Sequence, residues 1–208
     1  MEEWIGKNEY DGSHKEILAI YNSQKNLPRG YRVQPEDAWC ATCVSAAFID
    51  LGYTAIAPLE CSCGKMIDLA KIMGIWQEND GYVPSPGDLL LYDFDDNGVG
   101  DNKGWADHIG VVSYVGGGKM TVIEGNYKNA VNRRQIAIDG KYIRGFICPR
   151  YDAEEEPKKG EKSIEEIARE IIRGIWGNGH ENRKSRLEAA GYDYDYAEVR
   201  KMVNKLAG

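Results

Sequence analysis

The chain has 208 residues, 42% of them hydrophobic, and a net charge of −7 from 33 acidic and 26 basic side chains. That size and apolar content support one ordinary core plus a small second module and exclude a chain disordered throughout. There is no basic block of the kind that grips phosphate backbones through counterion release, and no apolar run of the roughly 18 residues that span a bilayer, so neither nucleic acid nor membrane is an expected partner.

Ile17, Leu18, Ile20 and Tyr21 predict a first helix. A second runs from about Ala38 to Leu51, with Asp37 as N-cap and Gly52 just past its end, and a third spans Lys65 to Met73. After Pro84-Ser85-Pro86-Gly87 the pattern changes to short apolar runs separated by Gly and Asn turns. These predict strands at Leu89 to Tyr92, Ile109 to Val115, Met120 to Ile123, Gln135 to Ile138 and Ile143 to Cys148. Helices first and antiparallel strands afterwards define an α+β domain over residues 1–150. The acidic, Pro- and Gly-containing stretch Tyr151 to Lys162 offers nothing to bury and reads as a linker.

Residues 163–208 carry eight basic and eight acidic side chains, so the whole negative excess belongs to the front of the chain. Ile164, Ile167, Ala168, Ile171, Ile172 and Ile175 repeat at helical spacing behind Ser163, and Glu166 completes a capping box. A shorter helix follows near Asn182 to Ala190. Val199, Met202, Val203 and Leu206 stripe the last one. The tail is therefore expected to be a small all-α three-helix module.

Chemistry-bearing residues lie in the front. With Asp37 as cap, Cys40 falls in the first turn of its helix, where unpaired N–H groups and the positive end of the macrodipole favour a thiolate. It reads either as a nucleophile or as a small buried cysteine beside Trp39, whereas Cys43, one turn on, is expected to pack inward with Val44 and Ala47. His108 opens a β-branched strand and is either a structural histidine or a general base. Glu124 and Asn126 end the following strand, where one of them can hold the imidazole in the tautomer that deprotonates sulphur. The five cysteines form an odd set that suits reduced thiols better than a disulfide framework. Cys40, Cys43, Cys61 and Cys63 are a poor zinc set because the second pair is separated by a single residue. Asp93, Asp95, Asn97 and Asp101, with glycine at the sixth position, have the spacing of a calcium loop, although the twelfth position is Gly104 where that loop needs glutamate. The open alternatives are possible calcium, with Asp107 as substitute ligand, and an acidic solvated turn; no cofactor is required.

Four motifs in order, Trp39-Cys40-Ala41-Thr42-Cys43-Val44-Ser45, Pro86-Gly87-Asp88-Leu89, Asp107-His108-Ile109-Gly110-Val111-Val112 and Ile123-Glu124-Gly125-Asn126, resemble those of CHAP domains, the cysteine and histidine-dependent amidohydrolases and peptidases. The resemblance covers about residues 1–150. It implies a papain-like, NlpC-related fold with Cys40 as nucleophile, His108 as base, Glu124 as orienting partner and Asn126 as a further polar partner. Many members have glutamine before the cysteine; here Trp39 occupies that place and is assigned to substrate contact. The tail is similar to a CW-seven cell-wall-binding repeat, matched by Arg173-Gly174, Trp176-Gly177-Asn178-Gly179, Ala190-Gly191-Tyr192 and Val199. That resemblance implies recognition of the disaccharide-peptide of peptidoglycan, with Arg173, Trp176 and Tyr192 as contacts, or with Trp176 as an internal anchor. Together these readings predict a phage or prophage endolysin cleaving a wall amide as an N-acetylmuramoyl-L-alanine amidase or an endopeptidase. The rivals are a catalytically silent wall-binding protein and a cysteine acyltransferase. Met1-Glu2-Glu3-Trp4 has no basic, apolar leader, so synthesis in the cytoplasm and action on the wall after release are expected.

Overall fold

The computed structural model describes residues 1–79, 81–96, 103–138, 141–151, 162–172, 175–176, 179–189, 192 and 194–207. Packing separates two units, Met1–Asp152 and Ala153–Gly208. The linker expected over 151–162 lies outside the described residues except for its two end positions.

The first unit places three helices, α1 (His14–Asn22), α2 (Cys40–Asp50) and α3 (Cys63–Met73), before a sheet of β1 (Trp76–Gln77), β2 (Leu89–Tyr92), β3 (His108–Gly116), β4 (Lys119–Tyr127), β5 (Ala130–Ala137) and β6 (Ile143–Ile147). The strand order is β1-β6-β2-β3-β4-β5 and every pairing is antiparallel. This is the expected α+β class, with the cysteine helix laid on an antiparallel sheet. The two-residue β1 was not legible in the sequence, being too short to show alternation.

Strand β2 is buried at all four positions. Its pleat sends Leu89 and Leu91 to one face, where they pack with Val44, Met66 and Ile109, and Leu90 and Tyr92 to the other, where they meet Val112, Met120, Val122 and Phe146. Helix α2 is buried from Cys40 through Phe48, which makes it the centre of the unit and not a surface helix. Each fully buried Val or Phe of this kind contributes roughly 1.5–3 kcal/mol of transfer free energy. Glycine permits the close approach to β4. A Cβ on Gly125 would stand 2.3 Å from Cys43 Cβ, so the small residue lets β4 press against α2.

The expected start of α2 needs correction. Asp37 is not its N-cap: its carboxylate accepts the Gln34 N–H at 2.7 Å and the Tyr31 hydroxyl at 2.8 Å, closing a turn before the helix. Trp39 is the N-cap residue and offers no side-chain cap, so Cys40 becomes the first helical residue. The helix ends as expected, with Gly52 at φ 76°. Asp88 of the Pro-Gly-Asp motif is a staple, accepting from the Tyr82 hydroxyl at 2.7 Å and the Ser85 N–H at 2.8 Å.

In the second unit α4 (Ile164–Ile172), α5 (His180–Ala189) and α6 (Tyr196–Ala207) enclose Ile167, Ile171, Leu187, Tyr192 and Val199. The capping box forms reciprocally: Glu166 N–H donates to Ser163 Oγ at 3.2 Å and Ser163 N–H to Glu166 Oε2 at 2.7 Å.

Candidate active site

Three elements bring the cysteine, histidine and glutamate together. Cys40 stands at the first turn of α2, His108 begins β3, and Glu124 lies on β4. His108 pairs directly with Tyr92, and Glu124, on the neighbouring strand β4, reaches the imidazole over Gly110, two residues along β3 from His108. A Cβ on Gly110 would sit 2.6 Å from Glu124 Cγ, so only glycine leaves the carboxylate its path. The glutamate is fully buried and its Oε2 is 3.0 Å from His108 Nε2. That contact leaves Nδ1 of the ring turned to other partners, and Cys40 and His108 lie close enough for each to shift the other's proton affinity.

The electrostatics follow from this arrangement. A hydrogen bond from the Cys63 thiol, with Cys40 Sγ and Cys63 Sγ 3.8 Å apart, is the largest influence on Cys40; burial opposes it, and His108 and the Ala41 N–H add to it. The result holds Cys40 well below the ordinary thiol range, while the nearby Cys40 sulphur pushes Cys63 well above it. For His108, burial disfavours the charged ring, yet Cys40 and then Glu124 outweigh it and raise the imidazole to about 9. Thiolate and imidazolium are the matched pair this site stabilises at neutral pH. Cys43, by contrast, is pushed up by burial and lies in the core, as expected.

Three members of the cluster escaped sequence reasoning. The Tyr92 hydroxyl donates to Glu124 Oε1 at 2.5 Å. Arg134 donates from Nε to Glu124 Oε2 at 3.1 Å, while its guanidinium lies over Tyr127, 4.0 Å from the ring centroid. Arg134 pairs with Val122 in the β4–β5 ladder, so it falls on the same face as Glu124, one diagonal step away. A glutamate and an arginine on the two arms of a tight hairpin, offset by one diagonal step, is the signal that could have revealed it. Cys63, the third, opens α3, a helix whose start was expected two residues later.

Other expected site residues are placed elsewhere. Asn126 does not reach the imidazole. With its nitrogen toward Glu9 Oε1 at 3.1 Å and its oxygen toward the Trp39 N–H at 3.3 Å, it holds the residue before the nucleophile. Trp39 is fully buried, donating its indole N–H to Glu9 at 2.9 Å, so it is a core residue and is closed to substrate. In the second unit Tyr192 is likewise buried, and Trp176 meets it edge-on while donating to Glu170 at 2.8 Å, which makes the pair an internal anchor. Arg173 lies outside the described residues.

Asn97 and Asp101 of the acidic loop also lie outside the described residues. Among those described, Asp93 accepts the Asp95 N–H at 3.0 Å and Asp107 accepts the Phe94 N–H at 2.7 Å, so both carboxylates serve the turn. No group of three His, Cys, Asp or Glu side chains able to hold a metal forms among the described residues, and the cysteines do not gather as a zinc set there. Two of the four expected calcium ligands thus lie outside the described residues, and the chemistry proposed for the site uses no metal. Among the described residues no helix is long and apolar enough to cross a membrane.

The geometry just described is that of a cysteine hydrolase, and comparison with known families agrees. The CHAP domain family matches residues 30–126 and the CW_7 repeat family matches residues 165–206. The chain thus carries a CHAP domain with a CW_7 repeat C-terminal to it, a pairing that supports a cell-wall hydrolase with a cell-wall-binding repeat. Among solved structures it is similar to one described as "The crystal structure of Ly7917", with 18% identity, a TM-score of 0.35 and 53% of each chain covered, so it spans about half that structure's length. No curated protein matches the chain.

Proposed function

We propose that the protein is a peptidoglycan hydrolase of the endolysin type, of phage or prophage origin, that cuts an amide of the wall as an N-acetylmuramoyl-L-alanine amidase or an endopeptidase. The observation that carries this reading is the buried His108–Glu124 hydrogen bond, braced by Arg134 and Tyr92, beside a Cys40 whose thiol and the imidazole shift each other's proton affinity. No other group among the described residues combines a nucleophile, a base and an orienting acid.

In this reading the Cys40 thiolate attacks the amide carbon, forming a C–S bond as the carbonyl electrons move to oxygen. The first-turn N–H groups of α2, the Cys40 amide among them, face the developing oxyanion with the positive end of the helix. Collapse breaks the C–N bond, and His108 delivers the proton that the leaving amine requires. Water, deprotonated by the now neutral imidazole, then hydrolyses the thioester and restores the thiolate. Glu124 fixes the ring tautomer throughout. Asn126 and Glu9 act indirectly, fixing Trp39 and so the start of α2. The CW_7 repeat supplies retention on the wall, through surfaces other than Tyr192, whose ring belongs to the module's core.

The test follows turbidity and released amino groups of purified wall with the intact chain and with Cys40→Ala. Loss of both signals in the variant supports hydrolysis, and mass spectrometry of the new termini separates amidase from endopeptidase. Equal curves would show a silent wall-binding protein.

A further inference from the structure

Cys63 is the one sulphur placed against the nucleophile. The two sulphurs are 3.8 Å apart, and each residue opens a helix, Cys40 in α2 and Cys63 in α3. The other three cysteines are engaged elsewhere: Cys43 lies against Gly125, Cys61 takes a hydrogen bond from Arg29 at 3.2 Å, and Cys148 donates to the Tyr82 hydroxyl at 3.4 Å. We propose that Cys40 and Cys63 form a reversible oxidative modification site, in which a hydroperoxide oxidises Cys40 and Cys63 resolves it into a disulfide that disables the nucleophile.

The electrons balance in two steps. The Cys40 thiolate attacks the peroxide, so that an S–O bond forms, the O–O bond breaks, sulphur is oxidised, and the released alkoxide or hydroxide takes a proton from water. The Cys63 sulphur then attacks Cys40 Sγ: an S–S bond forms, the S–O bond breaks, and the departing hydroxide leaves as water with the Cys63 proton. In the resting site Cys63 is held protonated chiefly by the neighbouring Cys40 sulphur. Converting Cys40 to the uncharged sulfenic acid removes that influence just when Cys63 must ionise, and the start of α3 favours its thiolate.

Closing from contact to a bond of about 2.05 Å needs a shift of the α3 start. Neither Trp39 nor Ser62 places a side-chain cap on its helix start, so no capping bond has to break for the two turns to approach. Both residues are almost wholly buried, 7% exposed for Cys40 and 8% for Cys63, so the oxidant suited to the site is one as small as a hydroperoxide. Loss of activity as the consequence rests on the proposed hydrolase reading; the thiol chemistry does not.

The experiment treats the reduced full chain with hydrogen peroxide. Free thiols are expected to fall from five to three, the intact mass to drop by two hydrogens, and cleavage at glutamate to leave segment 37–60 linked to segment 61–78. Fragment ions would assign the link to Cys40 and Cys63. Wall lysis should fall more than about tenfold and return with dithiothreitol. In Cys63→Ser, Cys40 is expected to gain two oxygens instead and to stay oxidised in dithiothreitol. A link through Cys43 or Cys61, or irreversible oxidation of Cys40 in the unaltered chain, would overturn the proposal, and these outcomes are read from the unaltered chain even if Cys63→Ser fails to fold. A correct disulfide in a protein whose reduced form never lyses wall would leave the oxidation site standing and remove the hydrolase.

Discussion

Arg134 and Glu124 meet on one face of the β4–β5 hairpin, with guanidinium Nη2 and carboxylate Oε2 3.0 Å apart and the glutamate fully buried. The pair matters because the same oxygen receives the His108 ring. In the proposed hydrolase Arg134 is thus a positioning residue that acts through Glu124 on the base.

Arg134→Gln removes the charge that compensates a buried carboxylate. The expected cost is about 2 kcal/mol of stability, less than for a wholly buried pair because a quarter of the arginine side chain is exposed. Denaturant unfolding measures it. A merely structural role would leave the pH profile of kcat unmoved, whereas a positioning role shifts its alkaline limb; Arg134→Lys, keeping charge without the fork, should restore stability more than activity.

The pH profile itself follows from the shifted groups. His108 is raised from 6.5 to about 9 in the folded chain. The proton needed by the leaving amine is therefore lost as pH rises through about 9, and kcat/KM should descend there. On the acid side activity should persist well below the ordinary thiol range, because Cys40 is shifted down. The stability that His108 contributes is complete below pH 6.5 and lost as pH rises through about 9. Glu124→Gln should move the alkaline limb to lower pH, and an unmoved limb would remove Glu124 from the site.

Gly110→Ala places a methyl group on the path of the Glu124 side chain. Overpacking of this kind costs about 1–3 kcal/mol. Activity should fall more than stability does, read as kcat on wall alongside thermal unfolding, since the displaced group orients the histidine.

Cys43→Ala separates the two cysteines of the motif. The thiol of Cys43 is sealed in the core, so the variant should lose about 1 kcal/mol and keep wall lysis within about twofold, while Cys40→Ala loses it.

Binding by the second unit should respond weakly to salt. Its eight positive and eight negative side chains leave no net attraction for an anionic wall, so pull-down of the isolated chain on wall should change by less than about threefold between low and physiological ionic strength.

Much of this molecule is written in local pattern. The periodicities of residues 17–21, 89–92 and 164–172, the left-handed stop at Gly52 and the Ser163–Glu166 box are decided by neighbours within a few positions, and so the helices, most strands and the α+β class were legible. The order of cysteine, histidine and glutamate also named the chemistry, because those side chains have few other joint uses. Burial was harder to read. Trp39 and Tyr192 are amphipathic aromatics whose sequence context suits a ligand face as well as a core, and only packing closed them to solvent. Asp37 had the residue type of a cap but found a tighter partner in the turn before it.

What the linear chain determined by itself was most of the elements and the candidate reacting groups, since both follow from short-range periodicity and intrinsic chemistry. The strand register that lays Arg134 beside Glu124, the glycine gap at position 110 and the meeting of two helix starts at Cys40 and Cys63 were decided by tertiary structure alone. Those contacts depend on exact register and on packing between elements, which short-range pattern does not set, and it is they that shift the sulphur and the ring.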